Sequence, residues 1–301
     1  MTIHQRLPAA HRPRVYVWRR DILYLAASES QPGSHRVAHD KLLVAVAGRF
    51  RIRSGDRWQH TRSCLLLTGQ WQDPDLIDTS ESITATWLLP PLSQTCTALG
   101  SIMTEVTPEI YIDHPNERAL IAGLYQAATE PSPSAAAVRR RLMALLLPAH
   151  LRDRQFCEID PRVIAVVRHI QQTATCNLPL AWFARKVGLS GSYLEKIFKA
   201  QTGLPITRYR LRYRIYLAAI LLGMGYSITD AALRAGFASS SHFSRTYRAL
   251  TGETASRMLL KSEAEILLEH GVLRLILPLV REAGDSDGKD ERGTTRTAVA
   301  D

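Results

Sequence analysis

A pattern that occurs twice constrains this chain more than any other feature. The first copy is LAWFARKVGLSGSYLEKIFKAQTG at 180–203 and the second is ITDAALRAGFASSSHFSRTYRALTG at 228–252. Gly188 aligns with Gly236 at an offset of 48. One extra residue in the second copy shifts the offset to 49, pairing Leu194 with Phe243, Phe198 with Tyr247 and Thr202-Gly203 with Thr251-Gly252. Each copy reads as helix, tight turn, helix. Ala184 and Ala232 supply the small side chain that lets two steeply crossed helices approach, and the glycine four residues on takes a positive φ without steric cost. Leu189 or Phe237 then plugs the space between the helices. In such a unit the second helix is the one that enters the major groove of duplex DNA.

Helical periodicity sorts the second helices into an inner and an outer face. In the first copy Leu194, Ile197 and Phe198 point inward, leaving Ser192, Glu195, Lys196 and Lys199 outside. In the second Phe243, Tyr247 and Leu250 point inward, leaving Ser240, Ser241, Ser244, Arg245 and Arg248 outside. Lys196 and Arg245 are equivalent, and Lys or Arg to guanine O6/N7 is the commonest specific base contact. Glu195 is an acid on a surface that would meet phosphate; it can accept from cytosine N4 and so discriminates rather than adds affinity. Lys199 and Arg248, one turn further on, suit phosphates and would set register.

Charge agrees with this. The 301-residue chain has a formal net charge of +10, and residues 160–260 hold fourteen basic residues against four acidic ones, so the whole excess sits in that third. A surplus this local points to a polyanionic partner, nucleic acid ahead of a membrane surface. Either copy alone could be an ordinary solvated helix face; two in register inside one basic segment leave that reading little room. Between them PITRYRLRYRIYLAAILLGMG (205–225) starts at a proline and meets no breaker before Gly223. A helix of about 19 residues spans ~28 Å, close to the ~34 Å turn of B-DNA, so it would set two reading heads in successive major grooves. Its arginines at 208, 210, 212 and 214 cannot all face one side, and some are expected to pack or pair internally.

With these residues in view, segment 160–260 resembles the DNA-binding domain of the AraC/XylS family of bacterial transcription regulators. The likeness rests on the two copies, on YLEKIFKAQTG, on the Tyr209…Arg214…Ala218…Leu221-Leu222 pattern and on GFASSSHFSRTYRALTG. The resemblance implies a seven-helix, all-α domain over 156–261 that binds double-stranded promoter DNA and recruits RNA polymerase. It also implies base contacts from Ser192, Glu195 and Lys196 in the first copy and from Ser240, Ser241, Ser244 and Arg245 in the second. Ala255 stands where the family usually has proline, and Met258-Leu259 where it has Tyr-Arg, which points to a weaker grip by the second copy.

The rest of the chain completes a multidomain expectation. From residue 15 to about 108, apolar runs such as KLLVAVAG (41–48), RSCLLLTG (62–69) and ITATWLLPP (83–91) lie between Gly, Asp, Ser and Pro, as short strands do. Gly48 and the SGD at 54–56 mark turns. An all-β domain over 1–110 looks, more loosely, like the cupin-like effector and dimerisation domains attached to such regulators, on the order of strands and on HxxxHDKLLVAVAGRFRIR at 35–53. Residues 111–155 read as a helical connector of two helices, Asn116–Glu130 and Ser134–Arg152, split by PSP at 131–133. Their Leu142, Leu145, Leu146 and Leu151 form a stripe for packing or for a homodimer. Residues 262–301 form a C-terminal extension, disordered from about 284; Ala264–Val280 within it is apolar and fits a packed helix, a membrane-surface helix or a partner contact.

Several function classes are disfavoured. No apolar run approaches the ~20 residues of a membrane span, and the N-terminus lacks the apolar core of a signal peptide, so a cytoplasmic protein is expected. Cys64, Cys96, Cys157 and Cys176 lie far apart, which supports neither a zinc site nor a repair enzyme that accepts alkyl groups on a reactive thiol. A metal-dependent cupin enzyme would need an HxH pair and a following Glu; His35 and His39 are spaced otherwise, so no metal, cofactor or catalytic residue is assigned. Arg49, Trp58, His60, Trp71 and Trp87 either line an effector pocket at a barrel mouth or, for the tryptophans, fill the core.

Overall fold

The computed structural model describes residues 13–19, 21–25, 35–36, 40–67, 71–72, 76–89, 94–131, 134–152, 154, 156, 158–251, 254–255 and 265–281. The N-terminal region runs β1 (Arg14–Val17), β2 (Ile22–Leu25), β3 (His35–Arg36), β4 (Asp40–Gly48), β5 (Phe50–Ser54), β6 (Arg57–Thr61), β7 (Ser63–Leu66), β8 (Trp71–Gln72), β9 (Ile77–Asp78) and β10 (Ser82–Leu89). Helix α1 (Gln94–Gly100) interrupts what was expected to be all β, and the hairpin β11 (Thr104–Thr107) and β12 (Ile110–Ile112) closes the region. Next come α2 (Glu117–Thr129), α3 (Ala135–Leu146), α4 (Ala149–Arg152), α5 (Pro161–Gln172), α6 (Leu180–Lys186), α7 (Gly191–Thr202), α8 (Ile206–Gly223), α9 (Ile228–Arg234) and α10 (Ser240–Thr251). The chain ends, within the described residues, on β13 (Glu265–Leu268) and α11 (His270–Arg281). The expected disorder from about 284 lies outside the described residues.

One eight-stranded sheet, in the order β11-β12-β7-β4-β10-β2-β1-β13, organises everything else. Successive side chains on a strand point to opposite faces, and the registers propagate that alternation across the sheet. Leu42, Trp87, Leu23, Tyr16 and Leu267 form one row and Leu43, Thr86, Tyr24, Val15 and Ile266 the next. The first row faces a core shared with Leu99 of α1, Leu120 and Leu124 of α2, and Val138, Leu142 and Leu146 of α3. The opposite face serves two cores. At the β4–β7–β12 end, Leu43, Ala45 and Cys64 meet Phe50, Ile52 and Ile77 of a small sheet, β6-β5-β9. At the β2–β1–β13 end, Val15, Val17 and Ile22 meet the C-terminal helices. Central strand β4 is therefore buried on both faces, which is why KLLVAVAG is a continuous apolar run with no polar alternation. Gly48, at φ +73°, turns the chain from the large sheet into the small one, where a Cβ would run into the carbonyl oxygen of Glu81.

The helices expected as a connector lie on this sheet, and the leucine stripe is spent there: Leu142, Leu146 and Leu151 are buried and Leu145 packs against the same core. The second connector helix is also shorter than expected, because Leu147 takes an extended backbone (φ −127°, ψ 135°) before Pro148. A residue preceding proline is pushed out of the α region. His114 ties the helices to the sheet, its Nε2 donating to Leu146 O at 2.8 Å while its Nδ1 accepts from Asn116 N.

The apolar stretch beyond residue 264 is packed. Strand β13 joins the edge of the large sheet, parallel to β1, from Glu265 N to Pro13 O (2.8 Å) through Glu269 N to Val17 O (3.0 Å). Arg14 reaches Glu265 across this pair at 2.8 Å. Helix α11 then buries Val272 and Ile276 among α8, α9 and α10, and Arg234 Nη1 donates to Leu279 O at 2.6 Å. Ile266 sits so close to Gly223 at the end of α8 that a Cβ there would clash with it. One short segment thus fastens the C-terminal helices to the β region.

Ile276→Ala is expected to lower stability by about 2–5 kcal/mol in urea denaturation, the usual cost of emptying a filled core site. A chain ending at Lys261 should melt at a lower temperature and in two transitions; a single transition at the wild-type midpoint would show that this segment fastens nothing.

Candidate nucleic-acid interface

The C-terminal helices begin where Asp160 caps α5, its Oδ1 accepting from Arg162 N at 2.8 Å, with Pro161 in the first turn. Val163, Val166 and Ile170 of α5 join Phe183, Leu194, Phe198 and Tyr209 in one small core. The first repeat copy folds around it, the second joins the core shared with β1 and α8, and both fold through the same bonds. Leu189 N donates to Ala184 O at 3.0 Å and Phe237 N donates to Ala232 O at 2.9 Å. Gly188 and Gly236 take φ of +67° and +87°. Ser190 Oγ accepts from Tyr193 N at 3.3 Å to start α7, and Ser239 Oγ accepts from His242 N at 3.1 Å to start α10. The additional residue of the second copy lies between glycine and capping serine.

These caps and cores set which side chains face out. On α7, Leu194 and Phe198 are fully buried and Ile197 half-buried, while Ser192, Lys196 and Lys199 are exposed and Glu195 half-buried. On α10, Phe243 and Tyr247 are buried, Ser241, Ser244, Arg245 and Arg248 exposed and Ser240 half-buried; the side chain of Leu250 is outside the described residues. The nine residues predicted to face outward therefore sit on the solvent sides of the two second helices. Among the described residues six helices, α5 to α10, make up this region; the seventh implied by the resemblance would follow Ala255, where 256–264 are outside the described residues.

What the periodicity does not reveal is how the two copies are held relative to each other. Helix α8 is 18 residues long, about 27 Å at the α-helical rise, and its arginines divide by role. Arg208 is exposed. Arg210 Nη1 donates to Leu178 O at 2.6 Å. Arg214 is buried and donates to Ala174 O (2.5 Å), Cys176 O (3.1 Å) and Asn177 Oδ1 (2.9 Å), so it holds the whole turn between α5 and α6. Gly236 of the second copy packs directly on that turn: a Cβ there would overlap the backbone of Thr175 and crowd Arg214. Arg212 turns the other way, into the β region, where Nη2 donates to Leu89 O at 3.3 Å near Asp40 and Cys96. Burial lowers both Arg212 and Arg214 to about 10, so both remain charged at neutral pH. That some of these arginines pack internally was expected from the sequence, but which of them do, and against what, was not. The only signal was that four arginines two apart cannot share one helix face.

The effector pocket weighed at the sequence level does not form from the residues named for it. Arg49 is exposed between β4 and β5, Trp58 and His60 are exposed on the small sheet, and Trp87 is core, its Nε1 donating to Asp21 Oδ2 at 3.3 Å. The side chains of Trp71 and His35, and His39 altogether, are outside the described residues. No group of three or more His, Cys, Asp or Glu placed to hold a metal occurs among the described residues. Burial pushes the Cys64 thiol up to about 12 and Cys96 well above its ordinary value, the reverse of what a nucleophilic thiol needs. No helix of the described residues is long and apolar enough to cross a membrane.

Comparison with known proteins agrees with this geometry. A helix-turn-helix domain family model matches residues 183–261. The transcriptional activator RhaR of Yersinia pseudotuberculosis is 28% identical over 116 residues, 37% of this chain and 40% of that protein, so the match spans well under half the length of that relative. The transcriptional activator RhaS of Salmonella schwarzengrund is 23% identical over 262 residues, covering 82% of this chain and 87% of that protein. Among solved structures, ToxT of Vibrio cholerae O395, bound to (E)-4-(8-methylnaphthalen-1-yl)but-3-enoic acid, matches with a TM-score of 0.50 at 15% identity over 83% of this chain and 98% of ToxT, a likeness of fold.

The two turn glycines separate local strain from the brace between copies. Gly188 has no neighbour within 4 Å of an added Cβ, so Gly188→Ala should cost only the left-handed conformation, about 1–2 kcal/mol. Gly236→Ala must also displace Thr175 and is expected to cost at least about 2 kcal/mol more in urea denaturation. Equal losses at the two positions would mean the copies do not lean on each other.

Proposed function

We propose that this chain, whose C-terminal third resembles the AraC/XylS family of transcription regulators, reads promoter DNA in two successive major grooves and answers to a small-molecule effector through its N-terminal region. The observation that carries this reading is the pair of second helices, α7 and α10, each presenting a polar and basic outer face and held apart by one rigid helix. Lys196 and Arg245 are the guanine readers, Glu195 selects cytosine, the serines at 192, 240, 241 and 244 complete the base contacts, and Lys199 and Arg248 hold phosphate. The domain division follows: 1–110 for effector and dimerisation, 111–155 packed onto it, 156–261 for DNA, and 262–301 as the extension. Recruitment of RNA polymerase and formation of a homodimer come from the family resemblance, as does a regulatory rather than enzymatic role. Relatives described as activators make activation the first mode to test.

An effector can shift the two regions only by its difference in affinity for their arrangements. The core shared by the large sheet and α8 gives it something to act on, since any ligand that strains that sheet also strains the seat of α8.

Selection of bound fragments from a random duplex pool at ~150 mM salt tests the reading, because non-specific binding fades at such salt. A motif with two blocks about one helical turn apart is expected. Lys196→Ala and Arg245→Ala should each cost about 1–3 kcal/mol on that motif and relax preference at one base pair. Losses equal on all sequences would instead make both phosphate contacts, and recovery of no motif with or without a metabolite extract would end the reading.

A further inference from the structure

The small sheet carries an outer face that its packing does not explain. Ile52 and Ile77 form its inner row and are buried. The register sets Asp78, Arg51 and His60 across its three strands on the opposite face, with Arg53 facing Trp58 in the next row. Residues 49–62 contain five arginines and a single acid, Asp56. Trp58 is 40% exposed, and the guanidiniums of Arg51 and Arg53 lie 5.0 and 6.0 Å from its ring centroid. Arg51 is further fixed by two bonds to Asp78 Oδ2, from Nε at 2.9 Å and Nη2 at 2.8 Å. Nothing in the fold requires a tryptophan at the surface with two guanidiniums ordered over it.

The position of this platform matters as much as its charge. The small sheet covers the same face of the large sheet that carries the C-terminal helices further along, and strand β3 of the N-terminal region lies against α10. The small sheet and the C-terminal helices thus cover neighbouring parts of the same face of the large sheet. We infer that Arg51, Arg53 and Trp58 form a third DNA contact, gripping the phosphate backbone of the duplex that flanks the segment read by α10. The inference rests on the DNA-binding reading above. Guanidiniums match phosphate geometry, and here they are held by the ring and by Asp78, so little freedom is lost on binding. Guanidiniums that meet phosphate oxygens add affinity and register without reading sequence. The buried core of a protein–protein interface is more apolar than the rest of a surface, whereas on this face Trp58 is the only apolar side chain among the described residues.

The test uses the full chain and two duplexes carrying the same selected motif, one ending at its edges and one extended by about a helical turn on each side. The wild type is expected to bind the extended duplex about tenfold more tightly, with a slope of log K against log salt steeper by about 2, as two further phosphates require. Arg53→Ala combined with Trp58→Ala, which spares the Arg51–Asp78 pair, should flatten that preference while leaving the short duplex bound as before and the melting temperature unchanged. A wild type indifferent to the flanks, or a double variant that keeps the preference, overturns the third contact alone. Unchanged DNA binding with lost promoter output overturns it in favour of an acidic protein partner. A wild type that binds neither duplex overturns the DNA-binding reading itself, and this contact with it.

Discussion

The alternation of side chains along one β-sheet carries the rest of this structure. Because each strand sends neighbours to opposite faces, the eight-stranded sheet can present Leu23, Leu42 and Trp87 to helices α1–α3 and, from the very next positions, present Leu43 to the small sheet and Val15 and Val17 to the C-terminal helices. A slip of one residue in β1 would exchange Tyr16 and Trp18 for Val15 and Val17 and spoil two cores at once. Register is strongly fixed where both faces are buried. The parallel addition of β13 lengthens the sheet at the edge where the C-terminal helices need support.

The arginines of α8 show how a charge can serve architecture. Burying a guanidinium is costly unless its donors are met. Arg214 meets that condition with three oxygens from the turn between α5 and α6, so its burial fixes the position of that turn, and Gly236 packs on the result. Arg212 is less well served: Nη1 has no hydrogen-bond partner among the described residues, and Nη2 has only a long bond to Leu89 O. Its charge faces Asp40 across the junction with the β region. The local excess of ten charges is therefore smaller at the surface than in the sequence, and the charge that remains outside lies on the outer faces of α5, α6, α7 and α10 and on Arg208.

Rigidity has a functional consequence. Two reading heads on a flexible tether would each bind DNA with its own affinity and gain only by effective concentration. On the proposed reading, heads braced through Arg214, Gly236 and a continuous helix would bind as one unit of fixed spacing, which would make the distance between half-sites a property of the protein. Coupling to the N-terminal region runs through packed side chains, Tyr216 Oη to Trp18 O at 2.7 Å among them, so the two regions share a single seat.

Much of this was legible in the amino-acid order. The glycines at fixed offsets, the small Ala184 and Ala232, the proline starting α5 and the apolar positions of α7 and α10 are local requirements of helices and turns, and local requirements leave local marks. The strands Asp40–Gly48, Ser63–Leu66 and Ser82–Leu89 were readable for the same reason. Which outward positions of α8 were solvent and which were core was not, because an arginine looks the same whether it meets water, a carbonyl or a phosphate. The packing of α2 and α3 on the sheet, the return of residues 265–281 to β1, and the outer face of the small sheet were settled by contacts between residues far apart in the chain. Sequence alone determined the helices and turns of the two repeat copies and the face each second helix turns outward; the tertiary structure decided what holds those helices at one spacing, since burial and pairing depend on which distant partner arrives.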